Sequence, residues 1–130
     1  MRLYTFPKAE HLCLRRDIEA LFAGASRALT VFPVRAVYRI VPQAEGEPRV
    51  RVLLSVAKRH LHKAVERNRA KRQLREAYRK NKHLLIDALP QDTNLHLAFI
   101  WLADENLESM RVEKSIVRLL QNIAERLAVH

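Results

Sequence analysis

Basic side chains crowd one segment of the chain, between Lys58 and Lys82. These 25 residues include eleven Lys and Arg and two Glu, a net charge of +9. The other 105 residues carry 13 basic and 12 acidic side chains, so nearly all of the formal charge of +10 belongs to this segment. A solvated helix face usually mixes both signs of charge, because oppositely charged pairs stabilise the helix. The segment therefore predicts a polyanionic partner, either a nucleic acid or an anionic membrane surface.

The same segment is predicted to be a long helix, because no Gly or Pro interrupts Leu61 to Leu89 and Pro90 marks a stop. At about 100° per residue, one sector faces the core and contains Ala70, Leu74, Ala77, Tyr78 and Leu85. The opposite sector is a basic ridge of Asn68, Lys71, Arg72, Arg75, Arg79 and Lys82. Arg67 and Arg69 flank Asn68 at the N-terminal end, where free backbone N–H groups also favour phosphate.

Other residue types that could support catalysis are sparse. His60 and His62 would be half a metal site, but no third ligand stands at a recognisable spacing, so we interpret them as a polar turn. The acidic residues are scattered, which argues against the clustered carboxylates of a metal-dependent nuclease. Cys13 is the single cysteine and cannot form an internal disulfide. We therefore predict neither a catalytic residue nor a metal site within this chain.

The first half of the chain predicts one helix and two strands. Leu14, Ile18, Leu21 and Phe22 follow helical spacing, and Gly24 is placed to end that helix in a left-handed turn. A short extended piece near Ala28 precedes two runs of alternating residues, Val31 to Val41 and Arg49 to Val56, which we interpret as an antiparallel hairpin. In the first run, one side carries Val34, Ala36, Tyr38 and Ile40, and the other carries Arg35, Val37 and Arg39.

The second half predicts a buried strand and a final helix. Leu95 to Leu102 is apolar apart from His96, as is typical of a strand buried on both faces, and Trp101 belongs to the core. Asp104, Glu105 and Asn106 are expected to cap the last helix. Its predicted core face is Met110, Glu113 at the edge, Ile116, Val117, Leu120, Ile123, Ala124 and Leu127.

Length and composition predict one folded domain over residues 1–130, with residues 1–9 expected to be flexible. The chain has 130 residues, of which 48% are hydrophobic, as is normal for a folded protein with a single core. No apolar run is long enough for a signal peptide or a bilayer span. We therefore expect a soluble cytoplasmic protein without a membrane partner.

Two stretches of the sequence resemble the protein subunit of bacterial ribonuclease P. They are Leu54-Ser55-Val56-Ala57-Lys58-Arg59 and Ala64-Val65-Glu66-Arg67-Asn68-Arg69-Ala70-Lys71-Arg72-Gln73-Leu74-Arg75-Glu76-Ala77-Tyr78-Arg79. That family has a Ser-Val-Ser-Lys-Lys-like strand end followed by an Arg-Asn-Arg helix, and about a dozen positions agree in register. Asp17 to Gly24 is similar to the family's first helix, and the resemblance spans roughly residues 10 to 128.

The resemblance implies an α+β fold, a single-domain αβββαβα sandwich whose mixed sheet has a left-handed crossover through the basic helix. It also implies a subunit of the endoribonuclease that removes the 5′ leader from precursor tRNA. The implied catalyst is the RNA subunit with its Mg²⁺, so the expected partners are ribonuclease P RNA and precursor tRNA. No obligate protein partner is evident from the sequence.

The resemblance also implies two binding surfaces. The residues expected to contact the catalytic RNA are Arg67, Asn68, Arg69, Lys71, Arg72, Arg75 and Arg79. Those expected to line or border a groove for the single-stranded leader are Ile18, Phe22, Arg35, Val37, Ser55 and Lys58. Ile18 and Arg35 replace residues that are commonly aromatic in the family, so this groove would depend more on phosphate contacts than on base stacking. Phe22 is open to two interpretations, core packing or groove lining.

Two other classes of function remain open from the residues alone. The first is a binding module for RNA or DNA without a role in an enzyme, although the ridge has few Asn or Gln to read bases. The second is an amphipathic helix on a membrane surface, which is disfavoured because its Ala-rich apolar face is needed for the core.

Overall fold

The computed structural model describes residues 6–24 and 26–128. A short 3₁₀ helix, Lys8–Glu10, precedes four α-helices and four β-strands. Their bounds are α1 Arg15–Leu21, β1 Arg27–Val31, β2 Val34–Pro42, β3 Val50–Ser55, α2 Ala64–Asn81, α3 His83–Ile86, β4 Thr93–Trp101 and α4 Ser109–Ala128. The 3₁₀ helix begins within residues 1–9, which we expected to be flexible, and residues 1–5 lie outside the described part of the chain.

The four strands form one mixed sheet in the order β1-β2-β4-β3. The strand β2 is antiparallel to both β1 and β4, whereas β3 is parallel to β4. The α+β class and the mixed sheet are confirmed. The handedness of the crossover from β3 through α2 to β4 stays a prediction. Within the described residues, no helix combines the length and hydropathy needed to span a membrane.

The predicted hairpin of Val31–Val41 with Arg49–Val56 is wrong, because β4 lies between β2 and β3. In β4, the residues Leu95, Leu97, Ala98 and Phe99 are fully buried. A central position in the sheet buries the most apolar surface, so it favours this strand. The helical crossover allows β3 to pair with it in parallel. The actual hairpin is β1 with β2, closed by the two residues after Val31.

The two faces of the sheet contribute to separate apolar clusters. Val34, Ala36 and Tyr38 enter the main core beneath α2 and α4, as the alternation in β2 predicts. Val37 points to the other face, where it packs with Leu12, Leu21 and Ala98. Ile40 was expected among the core residues but is 41% exposed, because it lies toward the end of the strand.

The long basic helix is interrupted, and it starts later than predicted. Leu61 is buried in the preceding loop rather than in the helix, and the Lys63 N–H donates to the Glu66 carboxylate (3.3 Å) at the start of α2. At the other end, Lys82 separates α2 from α3 and forms a buried ion pair with Glu10 (2.9 Å). This ion pair fixes the residue between the two helices to the N-terminal segment.

The predicted core face of the last helix is confirmed in part, because Ile116, Leu120, Ile123 and Leu127 are buried, whereas Val117 and Ala124 are only partly buried. Met110 is 66% exposed, and the buried residues are Val112, Ser115, Ile116, Leu119, Leu120, Ile123 and Leu127. Val112, Ser115 and Leu119 are additions to the predicted face. The predicted cap is also wrong, since α4 begins at Ser109. Asn106 instead donates to the Glu66 carbonyl (3.1 Å) and thereby ties the loop before α4 to the start of α2.

The end of α1 also differs from the sequence prediction. The helix ends at Leu21, and the Phe22 N–H donates to the Ile18 carbonyl (3.2 Å). Gly24 does not adopt a left-handed conformation, because the only glycine with a positive φ among the described residues is Gly46. The left-handed turn predicted at Gly24 is therefore wrong.

Candidate RNA interface

The helix α2 separates apolar and basic side chains onto opposite faces. The predicted core residues of the helix are buried, namely Ala70, Leu74, Ala77 and Tyr78. Their burial determines which side of the helix faces the core. The opposite side chains are exposed, and we call the following set the basic face: Asn68, Arg69, Lys71, Arg72 and Arg75. Within the described part of the chain, none of its four cations lies within ion-pair distance of a carboxylate. The basic face can therefore bind phosphate without first breaking a bond.

Arg67 has a structural contact that its neighbours lack. Its Nη1 donates to the carbonyls of Leu61 (2.9 Å) and His62 (2.8 Å), and the side chain is half-buried. Arg69, two residues along, is exposed. The predicted pair around Asn68 therefore consists of one arginine that holds the preceding loop and one that is free to contact a partner.

Two cations at the C-terminal end of α2, Arg79 and Lys82, are paired with acidic groups, whereas Lys80 is exposed. Arg79 donates from Nε (2.9 Å) and Nη2 (2.6 Å) to the Glu76 carboxylate, and this hydrogen bond holds the pKa of Glu76 below its usual value. Lys82 is 6% exposed and bound to Glu10, so its predicted place on the ridge is wrong. The predicted ridge is thus shortened at this end by internal ion pairs.

The loop before α2 is fixed by polar contacts that the sequence did not predict. His60 Nδ1 and Asp104 Oδ1 lie 2.8 Å apart, which joins this loop to the one between β4 and α4. Lys58 and Arg59, at the start of the loop, are exposed. Among the residues that the structure describes, no three His, Cys, Asp or Glu side chains are grouped so that they could hold a metal ion.

The sheet face beneath α1 consists of three rows that cross β2, β4 and β3. The strand registers give the rows as Arg35–Ile100–Ser55, Val37–Ala98–Leu53 and Arg39–His96–Arg51. Successive rows are about 7 Å apart, because two residues of a strand separate them. The middle row is apolar and packs against α1, whereas the outer rows carry polar and cationic groups. This face is therefore a short apolar strip with cations at both ends.

The predicted groove residues divide into exposed and buried groups. Arg35 and Ser55 both pair with Ile100 and therefore share one row. Phe22 is 48% exposed, so it does not belong to the core. Val37 is only 6% exposed and packs beneath Leu21, so it can support a groove but offers almost no surface to a ligand. Ile18 is half-buried against the same cluster, and Lys58 is exposed at the end of β3.

His96 is a notable polar residue of the third row that our functional predictions missed. Burial is the main cause that lowers its pKa, Arg51 and Arg39 lower it further, and Asp17 and Glu47 act in the opposite direction. Its Nδ1 and the Nε of Arg51 are buried without a hydrogen-bond partner in the described residues. The signal in the sequence was the single polar residue within an otherwise apolar strand.

These features agree with what comparison with known proteins shows. The family model for Ribonuclease P matches residues 6–124. The chain belongs to the ribonuclease P protein family. A curated relative from Porphyromonas gingivalis strain W83, a ribonuclease P protein component, is 42% identical, and the match covers 89% of this chain and 87% of the relative. The corresponding protein from Chlorobaculum tepidum is 34% identical, and the match covers 94% of this chain and 84% of the relative.

Solved ribonuclease P proteins share the fold. The protein from Thermotoga maritima superimposes with a TM-score of 0.66 at 24% identity, covering 87% of this chain and 96% of that protein. The Staphylococcus aureus protein gives a TM-score of 0.67 at 17% identity, covering 91% and 97%. As a ribonuclease P protein component, the chain is part of an endoribonuclease complex, associates with ribonuclease P RNA and has a role in processing the 5′ end of tRNA.

Proposed function

We propose that this chain is a cytoplasmic subunit that docks on ribonuclease P RNA through α2 and holds the 5′ leader of precursor tRNA beside α1. The docking surface would be the basic face together with Arg67 and Arg79. The observation that carries this proposal is the row of four exposed, unpaired cations on one side of a helix whose other side is fixed in the core. A rigid row of this kind matches the repeating charge of an RNA backbone.

The contribution of the basic face is electrostatic. Each phosphate that a Lys or Arg neutralises releases condensed counterions, so the affinity falls as salt rises, with a slope of about 0.7 to 0.9 per contact. Arg69, Arg72 and Arg75 can each present a planar fork to phosphate oxygens, which fixes orientation as well as adding affinity. Arg67 and Arg79 would contribute less, because their guanidinium groups already donate within the chain.

We assign the chemical step to the RNA subunit. Mg²⁺ supplies charge neutralisation and polarisation of phosphate oxygens, and the described part of this chain has no cluster of side chains fitted to hold such an ion. In this proposal the RNA therefore holds the Mg²⁺. The chain neutralises neighbouring phosphates, so the two RNA molecules can approach one another at a lower Mg²⁺ concentration.

The leader groove is proposed at the row of Arg35 and Ser55, between α1 and the end of β3. Arg35 and Lys58 are exposed cations that can bind leader phosphates. Phe22 provides an exposed ring on which a base can stack, a contact that contributes about 1–3 kcal/mol per base. Single-stranded RNA is typically held by this combination of a basic track and an aromatic platform.

Reconstitution tests the proposal. The purified chain, ribonuclease P RNA and a leader-bearing precursor tRNA are combined across a Mg²⁺ series, with each component also omitted in turn. We expect cleavage only when the RNA subunit is present, and at lower Mg²⁺ when the chain is added. Metal-dependent cleavage of the precursor by the chain without RNA would contradict the assignment of the chemistry.

A binding comparison separates this function from that of a DNA-binding module. The affinities for ribonuclease P RNA and for duplex DNA are measured at matched salt concentrations. We expect the RNA to bind more tightly, because the basic face has few side chains that could read bases in the major groove. Tighter binding to the duplex would favour the alternative.

A further inference from the structure

A cleft between α2 and α4 contains a buried amide with one unused hydrogen-bonding atom. Gln73, on α2, is only 7% exposed and was not assigned to the core by the sequence analysis. Its Nε2 donates to the Leu107 carbonyl (2.8 Å) and to Ser109 Oγ (3.1 Å). A carbonyl can only accept hydrogen bonds, so the Gln73 atom that faces the Leu107 carbonyl must be Nε2 and not Oε1. Oε1 has no hydrogen-bond partner in the described residues.

This cleft adjoins the basic face. It encloses about 240 Å³ and is lined on the α2 side by Arg72, Gln73, Glu76, Ala77 and Lys80, and on the α4 side by Ser109 and Glu113. Arg72 belongs both to the cleft and to the basic face. The side chains of Arg72 and Lys80 are exposed and flexible. A partner that docks on the basic face therefore reaches the opening of the cleft, and the long side chains around it can move aside.

The charges around the cleft do not favour a phosphate inside it. Glu76 and Glu113 offset the two cations, and Glu113 accepts a hydrogen bond from Asn81 Nδ2 (3.0 Å). The unused group is a carbonyl oxygen, which requires a donor. The chemistry therefore fits an uncharged, planar ligand that carries N–H groups and can stack on a guanidinium plane.

We propose that the cleft accepts one unpaired base of the RNA partner, and that Gln73 Oε1 accepts a hydrogen bond from the exocyclic amino group of that base. The inference rests on the proposed docking of RNA on the basic face. Arg72 would stack on the base, as arginine does on splayed-out bases in RNA complexes. Adenine, cytosine and guanine carry an exocyclic amino group. Uracil offers only a ring N–H between two carbonyl oxygens, which the Glu113 carboxylate repels.

The first test uses the full chain and mononucleotides. AMP, CMP and UMP are titrated separately into ¹⁵N-labelled protein while the side-chain amide of Gln73 is followed by NMR. All three share the phosphate, so binding to the basic face shifts signals equally. We expect AMP and CMP to shift the Gln73 amide and the backbone around Ser109, and UMP to shift them at least threefold less. Equal shifts, or none, would overturn the proposal and leave a cleft that water alone can fill.

The second test uses ribonuclease P RNA and two variants. Gln73→Met keeps the length of the side chain and removes Oε1, whereas Gln121→Met makes the same change at an exposed glutamine of α4 that does not line the cleft. We expect Gln73→Met to weaken RNA binding about fivefold to tenfold with an unchanged salt slope, because no phosphate contact is lost. Gln121→Met should bind as the unchanged protein does.

The two tests also distinguish the failure of this inference from the failure of the proposed function. Equal RNA affinity of Gln73→Met and the unchanged chain would overturn the base pocket while leaving docking intact. Failure of the unchanged chain to bind the RNA would overturn the docking. The nucleotide titration of the unchanged protein decides for or against the cleft in either case, including the case in which Gln73→Met does not fold.

Discussion

The two ends of α2 carry the same kinds of side chain but use them differently. From Asn68 to Arg75 the cations are exposed and have no acidic partner in the described residues, whereas Arg79 and Lys82 are bonded to Glu76 and Glu10. A charge count along the sequence treats both ends alike. The difference shows that a lysine or arginine is most available to a partner where the fold leaves it unpaired, and that the same type of residue stabilises the fold where a carboxylate is within reach.

The largest expected effect lies at the paired end. Lys82→Met removes one member of a buried ion pair and leaves the Glu10 carboxylate buried without its partner. We expect the free energy of unfolding to fall by about 3–5 kcal/mol, as is typical when one member of such a pair is removed. Denaturant unfolding measures this change. Affinity for ribonuclease P RNA, corrected for the folded fraction, should not change, and a loss of affinity without a loss of stability would break the comparison.

The next effect separates the two arginines around Asn68. Arg67→Ala leaves two loop carbonyls without their donor, so the free energy of unfolding should fall by about 1–3 kcal/mol. Arg69→Ala removes an exposed side chain and should change stability by about 0.5 kcal/mol or less. Both variants are unfolded in denaturant under the same conditions. Equal stability losses would contradict the division of roles between these neighbours.

A third prediction concerns the leader side of the molecule. Phe22→Ala removes the exposed ring, and we expect the preference of the particle for leader-bearing over mature tRNA to fall about tenfold, within the range for one stacked base. Phe32→Ala is the matched control, because Phe32 is similarly exposed but lies in the β1–β2 turn against Arg111. An equal loss in both variants would mean that neither ring has a specific role in holding the leader.

The smallest effect is a pH dependence of stability that arises from His96. Its pKa in the folded chain is lowered, mainly by burial, so the unfolded chain binds the proton more readily. The stability that neutral His96 provides is present above about pH 6.5, its ordinary pKa, and is lost as the pH falls toward the folded value. His96→Gln should flatten the pH profile of unfolding below pH 6.5. An equally steep profile below pH 6.5 in His96→Gln and in the unchanged protein would contradict this assignment.

The amphipathic pattern of α2 and the alternation of β2 could be predicted from the sequence, because each depends on local periodicity. Strand order could not, since the pairing of β3 with β4 rather than β2 depends on which strand gains most from burial at the centre. Which basic residues are paired and which are exposed also depends on partners distant in sequence, since Glu10 is 72 residues away from Lys82. Gln73 was missed for the same reason, because its partners Leu107 and Ser109 belong to a different part of the chain.

The most direct test of the central claim is the salt dependence of binding to ribonuclease P RNA for two charge-matched double variants. Arg72→Gln with Arg75→Gln removes two cations from the basic face, and Lys114→Gln with Arg118→Gln removes two exposed cations from α4. We predict that the slope of log affinity against log salt falls by about 1.5 to 2 for the α2 pair, at 0.7 to 0.9 per phosphate contact. The slope should stay unchanged for the α4 pair. An equal fall for both pairs would show that the RNA responds to overall charge, and would contradict docking through the basic face.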